Sequence, residues 1–100
     1  MEQIEIYGQP AQIKRAKQAK KISIARDDYD TIHQWIISSL TRERQIYLSK
    51  LIQMGESELK VPTGNLAWLI VLVKNNMTYN NELEVLIDDT RTQLVKLKSS

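Results

Sequence analysis

Residues 20–52 read KKISIARDDYDTIHQWIISSLTRERQIYLSKLI, and three changes of pattern inside this stretch decide the fold. From Lys21 to Arg26 the residues alternate, with Ile22 and Ile24 on one side and Lys21, Ser23 and Ala25 on the other, which is the period of a half-buried strand. Asp27 and Asp28 end it: acids at a helix start accept hydrogen bonds from free amides and complement the dipole. Tyr29, Ile32, Ile36, Ile37 and Leu40 then recur at helical spacing with Trp35 on the flank, predicting a helix over residues 28–38. Ser38-Ser39-Leu40-Thr41 favours caps and turns, so Thr41 is expected to cap a second helix from Arg42. Its apolar face would run through Tyr47, Leu48, Leu51, Ile52 and Met54 to a left-handed stop at Gly55.

Outward from this unit the patterns are plainer. The opening QIEIYGQP alternates Ile4 and Ile6 with polar neighbours and closes on Gly8 and Pro10, a short strand or extended arm ending in a turn. Residues 11–20 are rich in Ala, Lys and Gln, with little apolar surface to bury. On the other side, LAWLIVLV at 66–73 follows a Pro-Thr-Gly-Asn start and is expected to be a helix buried nearly all round, Trp68 included. Leu83, Leu86, Ile87, Leu94 and Leu97, with Asn80 and Asn81 as a cap, predict a last amphipathic helix. The expected divisions are a basic arm over 1–19, a strand-helix-helix unit over 20–55 and a helical extension over 56–100.

Composition bounds the chemistry. A chain of 100 residues with 42% hydrophobic and 26% charged residues makes one domain, and at this size self-association adds useful burial. Cysteine is absent and His33 is the single histidine, so disulfides, thiolate nucleophiles and multi-histidine metal sites are out of reach. Gly8, Gly55 and Gly64 are too far apart to build a phosphate loop, and Asp88-Asp89 project in different directions on a helix. No enzyme activity and no cofactor are expected. The longest apolar run, Leu66 to Val73, is well short of the roughly 20 residues that cross a bilayer, and Met1 to Pro10 lacks a signal-peptide pattern. A cytoplasmic location away from membranes is expected.

The charge is unevenly placed. Residues 1–26 hold Lys14, Arg15, Lys17, Lys20, Lys21 and Arg26 against Glu2 and Glu5, whereas 27–40 hold only Asp27, Asp28 and Asp30. A cationic arm of this kind suits a polyanion, because Lys and Arg on phosphates release condensed counterions.

Arm, alternating strand, helix, tight turn and helix resemble the ribbon-helix-helix family of DNA-binding proteins over residues 20–52. The resemblance implies a mostly α homodimer or higher oligomer, in which each short strand is paired with its twin as an antiparallel ribbon in the major groove of duplex DNA. It further implies base contacts from Lys21, Ser23 and Ala25, with Arg26 also on the DNA side, and a phosphate grip by the helix-start amides near Thr41, Arg42 and Glu43, Arg42 and Arg44 adding charge; Lys14, Arg15, Lys17 and Lys20 are expected to reach DNA through the charge of the arm. Ala25 stands where the family usually has a longer side chain; it can meet a thymine methyl but not bond guanine. Gly64-Asn65-Leu66, an apolar helix and a leucine-rich helix are similar in frame to the tail of bacterial mobilisation proteins, with Ala67 and Trp68 in place of Asn and Gln. That resemblance implies a plasmid-transfer accessory role beside a relaxase. The functional expectation is therefore sequence-specific duplex DNA binding as a regulator or transfer accessory factor; the rival is a helical protein-interaction module that docks its leucine-rich helix on a partner.

Overall fold

A computed structural model of the chain describes residues 2–7, 21–59 and 65–98. In chain order the elements are β1 (Gln3–Tyr7), β2 (Lys21–Ala25), α1 (Arg26–Glu43), β3 (Gln45–Tyr47), α2 (Leu48–Glu58), α3 (Leu66–Tyr79), β4 (Leu83–Ile87) and β5 (Gln93–Leu97). Among the described residues three helices and two small antiparallel sheets make a mixed α/β fold, not clearly the mostly α one expected.

The alternating strand forms where it was expected, but with a different partner. β2 pairs antiparallel with β1 of its own chain, Ile4 opposite Ile24 and Ile6 opposite Ile22. The ladder continues into the helix, where Arg26 N–H donates to Glu2 C=O at 3.0 Å. Ile6 and Ile24 are buried and Ile4 and Ile22 pack against the same core, so β1 supplies the apolar partner that a twin strand was expected to bring. The opening segment also alternates with period two, and a strand already tethered to the chain pairs without the entropy cost of association.

α1 is longer than expected. Tyr29, Ile32, Ile36 and Leu40 form its buried stripe and Ser39 is buried beside them, so residues 38–41 continue the helix instead of breaking it. Thr41 does not cap a new helix: its hydroxyl donates to Ile37 C=O at 2.7 Å, an i−4 bond that satisfies the side chain inside a helix. The helix ends at Arg44, whose φ of 70° turns the chain and whose N–H donates to Leu40 C=O. At the other end Asp27 and Asp28 lie in the first turn and complement the dipole, but the N-cap is Ala25 without a side-chain bond.

β3 leads directly into α2, which buries Leu51 and Gly55. Gly55 is not a left-handed stop, since no described glycine has positive φ. It packs against side chains of both α1 and α3: a Cβ there would run into Ile70 Cδ1 and lie 3.1 Å from Trp35 Cη2. α3 is capped by the Asn65 carboxamide, which accepts from the Trp68 N–H at 3.1 Å. The segment is core as expected, from Leu69 to Met77 except for half-buried Val71, but Trp68 itself stands on the open side at 49% exposure.

The expected last helix is a hairpin. β4 and β5 pair with Leu83 opposite Leu97 and Val85 opposite Val95, and β3 adds to β5 to give the order β3-β5-β4. Val85, Ile87 and Val95 prefer extended backbone, and Asp88 to Thr92 chains a tight turn. The Asp88 carboxylate accepts from Thr90 N–H, Thr90 hydroxyl and Thr92 N–H at 2.7–3.0 Å, and Arg91 takes the left-handed position at φ 62°. Ile46, Val95 and Val85 line the inner face of this sheet. One core runs from Ile6 to Val95 and draws on residues of both 20–55 and 56–100.

Candidate nucleic-acid interface

The residues expected to touch DNA are split between two ends of α1. Ser23 lies exposed on the outer face of the β1–β2 ribbon and Ala25 is half-buried at its end. Glu5 is the cross-strand partner of Ser23, and Arg26 Nε is 2.9 Å from Glu2 Oε1. The face expected to read bases therefore carries a carboxylate at its centre, which repels phosphate. Thr41, Arg42 and Arg44 sit at the far end of α1, about 24 Å from Arg26 at 1.5 Å per residue, and Arg42 Nε is 3.3 Å from Glu43 Oε2. One contiguous surface holding both groups is not formed. Lys14, Arg15, Lys17 and Lys20 lie outside the described residues, and Lys21 is described only as the first residue of β2, paired with Tyr7.

The helix start expected at Thr41 to Glu43 is found instead at Leu48. There no side chain caps the amides and the first turn holds no acid, while Ser49 and Lys50 face Thr90 and Thr92 across an open cleft of about 390 Å³. Asp88 lines the same cleft, and the Thr90 hydroxyl with the Thr92 and Thr90 amides holds its carboxyl below the usual carboxylate range. A standing negative charge there opposes a second anion.

α2, α3 and the β4–β5 hairpin follow one another as a helix pair with a flanking wing, and in helix-turn-helix proteins the second helix reads the major groove. α3 lacks the chemistry for that. Its single cation, Lys74, is 4% exposed, and Asn75 and Asn76 are buried. The Asn76 amide donates to the Tyr29 hydroxyl at 2.8 Å, and Lys74 Nζ donates to Gln93 Oε1 at 3.1 Å. β1 packs against this same helix.

The polar residues of α3 belong to a seam that the sequence did not reveal. His33 Nε2 lies 2.8 Å from Glu82 Oε1, and the Tyr29 ring stacks on the His33 imidazole with centroids 5.5 Å apart. Burial pushes the Tyr29 hydroxyl pKa up, partly offset by the Asn76 hydrogen bond. Residues 29, 33, 76 and 82 give no sequence signal because they meet across 47 and 49 positions of chain. Among the described residues no group of three or more His, Cys, Asp or Glu side chains could hold a metal ion, and no helix is long and apolar enough to cross a membrane.

Lys74 has a measurable signature. Burial pushes its ammonium below the ordinary value near 10.4, so the unfolded chain binds the proton more tightly than the folded one. Folding stability therefore rises with pH between the lowered folded value and the unfolded value. Lys74→Met is expected to be more stable than the parent at neutral pH, with the gap closing as pH rises into the alkaline range. Urea titrations of both proteins at several pH values check this; a destabilised variant with an unchanged pH slope contradicts it.

On the outer face of the three-stranded sheet, Tyr47, Leu94 and Leu86 stand in one cross-strand row, with Tyr47 46% and Leu86 43% exposed.

No family model, curated protein or solved structure matches this chain.

Proposed function

We propose that the protein binds duplex DNA mainly through its phosphates, using the cation-rich connection between β1 and β2. The supporting observation is the pairing of Tyr7 with Lys21: both ends of the connection lie side by side at the end of the ribbon away from α1. Lys14, Arg15, Lys17, Lys20 and Lys21 fall within eight consecutive positions of the sequence. A base-reading ribbon has less support, given Glu5 opposite Ser23, and so does base reading by α3. The reading is accordingly of sequence-tolerant affinity dominated by counterion release. It needs no catalytic group, and a role as regulator or as transfer accessory factor is equally compatible with it. The mobilisation-protein likeness loses its leucine-rich helix, which is β4 and β5.

Fluorescence anisotropy on a random duplex at a series of salt concentrations tests the proposal. The logarithm of the association constant should fall linearly with the logarithm of salt, by about 0.9 per phosphate contact. Replacing Lys14, Arg15, Lys17 and Lys20 together by Ala is expected to flatten that slope by about 3 to 4 if each cation meets one phosphate. Arg42→Ala with Arg44→Ala should leave it nearly unchanged. An unaltered slope in the fourfold variant removes the connection from the interface.

The row of exposed Tyr47 and Leu86 flanking half-buried Leu94 favours a second reading, contact with protein. A protein that never shifts DNA at low salt would leave that reading standing alone.

A further inference from the structure

The two sheets leave four strand edges without a neighbour among the described residues: β1, β2, β3 and β4. An edge strand presents unpaired amides and carbonyls to another chain, and proteins blunt such edges with charge or cover. The direction of the free groups on β4 follows from its ladder. Asp88 N–H donates to Thr92 C=O and Lys98 N–H donates to Glu82 C=O, so in the alternation of an antiparallel pair Glu84 with Lys96 and Leu86 with Leu94 also exchange hydrogen bonds. The residues between them, Leu83, Val85 and Ile87, turn their N–H and C=O groups away from β5. Leu83 is 2% exposed, which leaves Val85 and Ile87 to offer theirs.

Side chains at this edge are apolar on both faces of the sheet. Leu86 is 43% exposed on the outer face, and Ile87, on the face of Val85, is 57% exposed. Around them the charge has one sign: residues 82–89 hold Glu82, Glu84, Asp88 and Asp89 and no cation. Glu84 reaches Lys96 at 3.8 Å on the β5 side, and the Asp88 carboxylate accepts from Thr90 and Thr92. A second β4 would set carboxylates against carboxylates, so the edge selects against its own copy. It suits an extended segment with apolar residues opposite Val85, Leu86 and Ile87 and a cation at either end, one near Glu84 and one near Asp88 and Asp89. That pattern reads the same in both strand directions.

We infer that β4 is a docking edge for an extended basic segment of a partner protein, which joins the sheet as a fourth strand through main-chain hydrogen bonds to Val85 and Ile87. The backbone pairing fixes register, the apolar centre of the segment covers Leu86 and Ile87, and its flanking cations distinguish it from other extended chains. This goes beyond DNA binding and stands whether or not the chain binds DNA.

Amide hydrogen exchange of the full-length protein, read residue by residue by NMR with the end-blocked peptide Lys-Lys-Val-Leu-Val-Lys-Lys, tests it. Millimolar peptide is expected to slow exchange at Val85 and Ile87 by about tenfold or more, and far less at Leu86, whose N–H is already bonded to Leu94. The matched peptide with Glu in place of every Lys should give no protection at the same concentration. Ile87→Pro removes an outward N–H without touching the β4–β5 ladder, so it should melt like the parent and lose the peptide. The comparison of the two peptides on the parent needs no variant. Unchanged exchange at Val85 and Ile87 overturns the proposal, as does equal protection by the acidic peptide or an Ile87→Pro protein that binds like the parent. Protection of both amides without peptide, growing with protein concentration, would assign the edge to a second copy and overturn it as well.

Discussion

Ile6→Ala is expected to destabilise the protein by about 2–5 kcal/mol, a large share of the roughly 5–15 kcal/mol that holds a domain of this size. Ile6 is 1% exposed and lies opposite Ile22. Truncating it removes burial and leaves a void under β1, at the point where this strand packs on α3. At about 4–8 °C per kcal/mol the melting temperature should fall by on the order of 15 °C. Thermal unfolding followed by circular dichroism checks this, with the exposed neighbour Gln3→Ala as control. A melting temperature unmoved by Ile6→Ala would mean that β1 does not complete the ribbon, and pairing of β2 with a twin would return as the better description.

The second large effect is expected at Gly55. Enlarging it to Leu pushes a side chain into the seam between Ile70, which is fully buried, and Trp35, whose indole N–H donates to Glu58 Oε1 at 3.3 Å. Overpacking of this kind costs about 1–3 kcal/mol and sometimes more. Because Gly is about 1 kcal/mol worse than Ala inside a helix, Gly55→Ala recovers part of its own clash. Ile70→Val removes the δ-methyl that a Cβ would strike, so Gly55→Ala should be better tolerated in that background, with a coupling of about 0.5–3 kcal/mol. Chemical denaturation of the four proteins of this cycle measures it. Additive effects would show that Ile70 is not what excludes a side chain at residue 55.

The two substitutions separate what could be read along the chain from what could not. The faces of β2, the stripe of α1 and the Asn65 start of α3 were legible because each is written in neighbouring residues, as alternation, as three-and-four spacing or as a cap. The end of α1 was not. Ser38, Ser39 and Thr41 are turn formers by propensity, but Leu40 continues the stripe of Ile36, and burial outweighs propensities of a few tenths of a kcal/mol. The hairpin at the C-terminus was missed for a related reason. Its five leucine and isoleucine positions fit a helical stripe if Val85 and Val95 are passed over, and those two valines are opposite each other in the ladder.

For the candidate site the division is sharper. The cation-rich segment is a property of composition, visible without a fold. That Arg26 lies beside Glu2, that Glu5 occupies the centre of the outward ribbon face, and that Lys74 is buried are consequences of pairings the local sequence does not announce. By itself, the sequence determined the local periodicities, the charge distribution and the absence of thiol chemistry, since each depends only on residues close together or on counting. The tertiary structure decided which strand completes β2, where α1 ends and that residues 83–97 form a hairpin. Those outcomes depend on contacts between residues tens of positions apart, such as Ile46 with Val95, whose energies outweigh the local preferences they override.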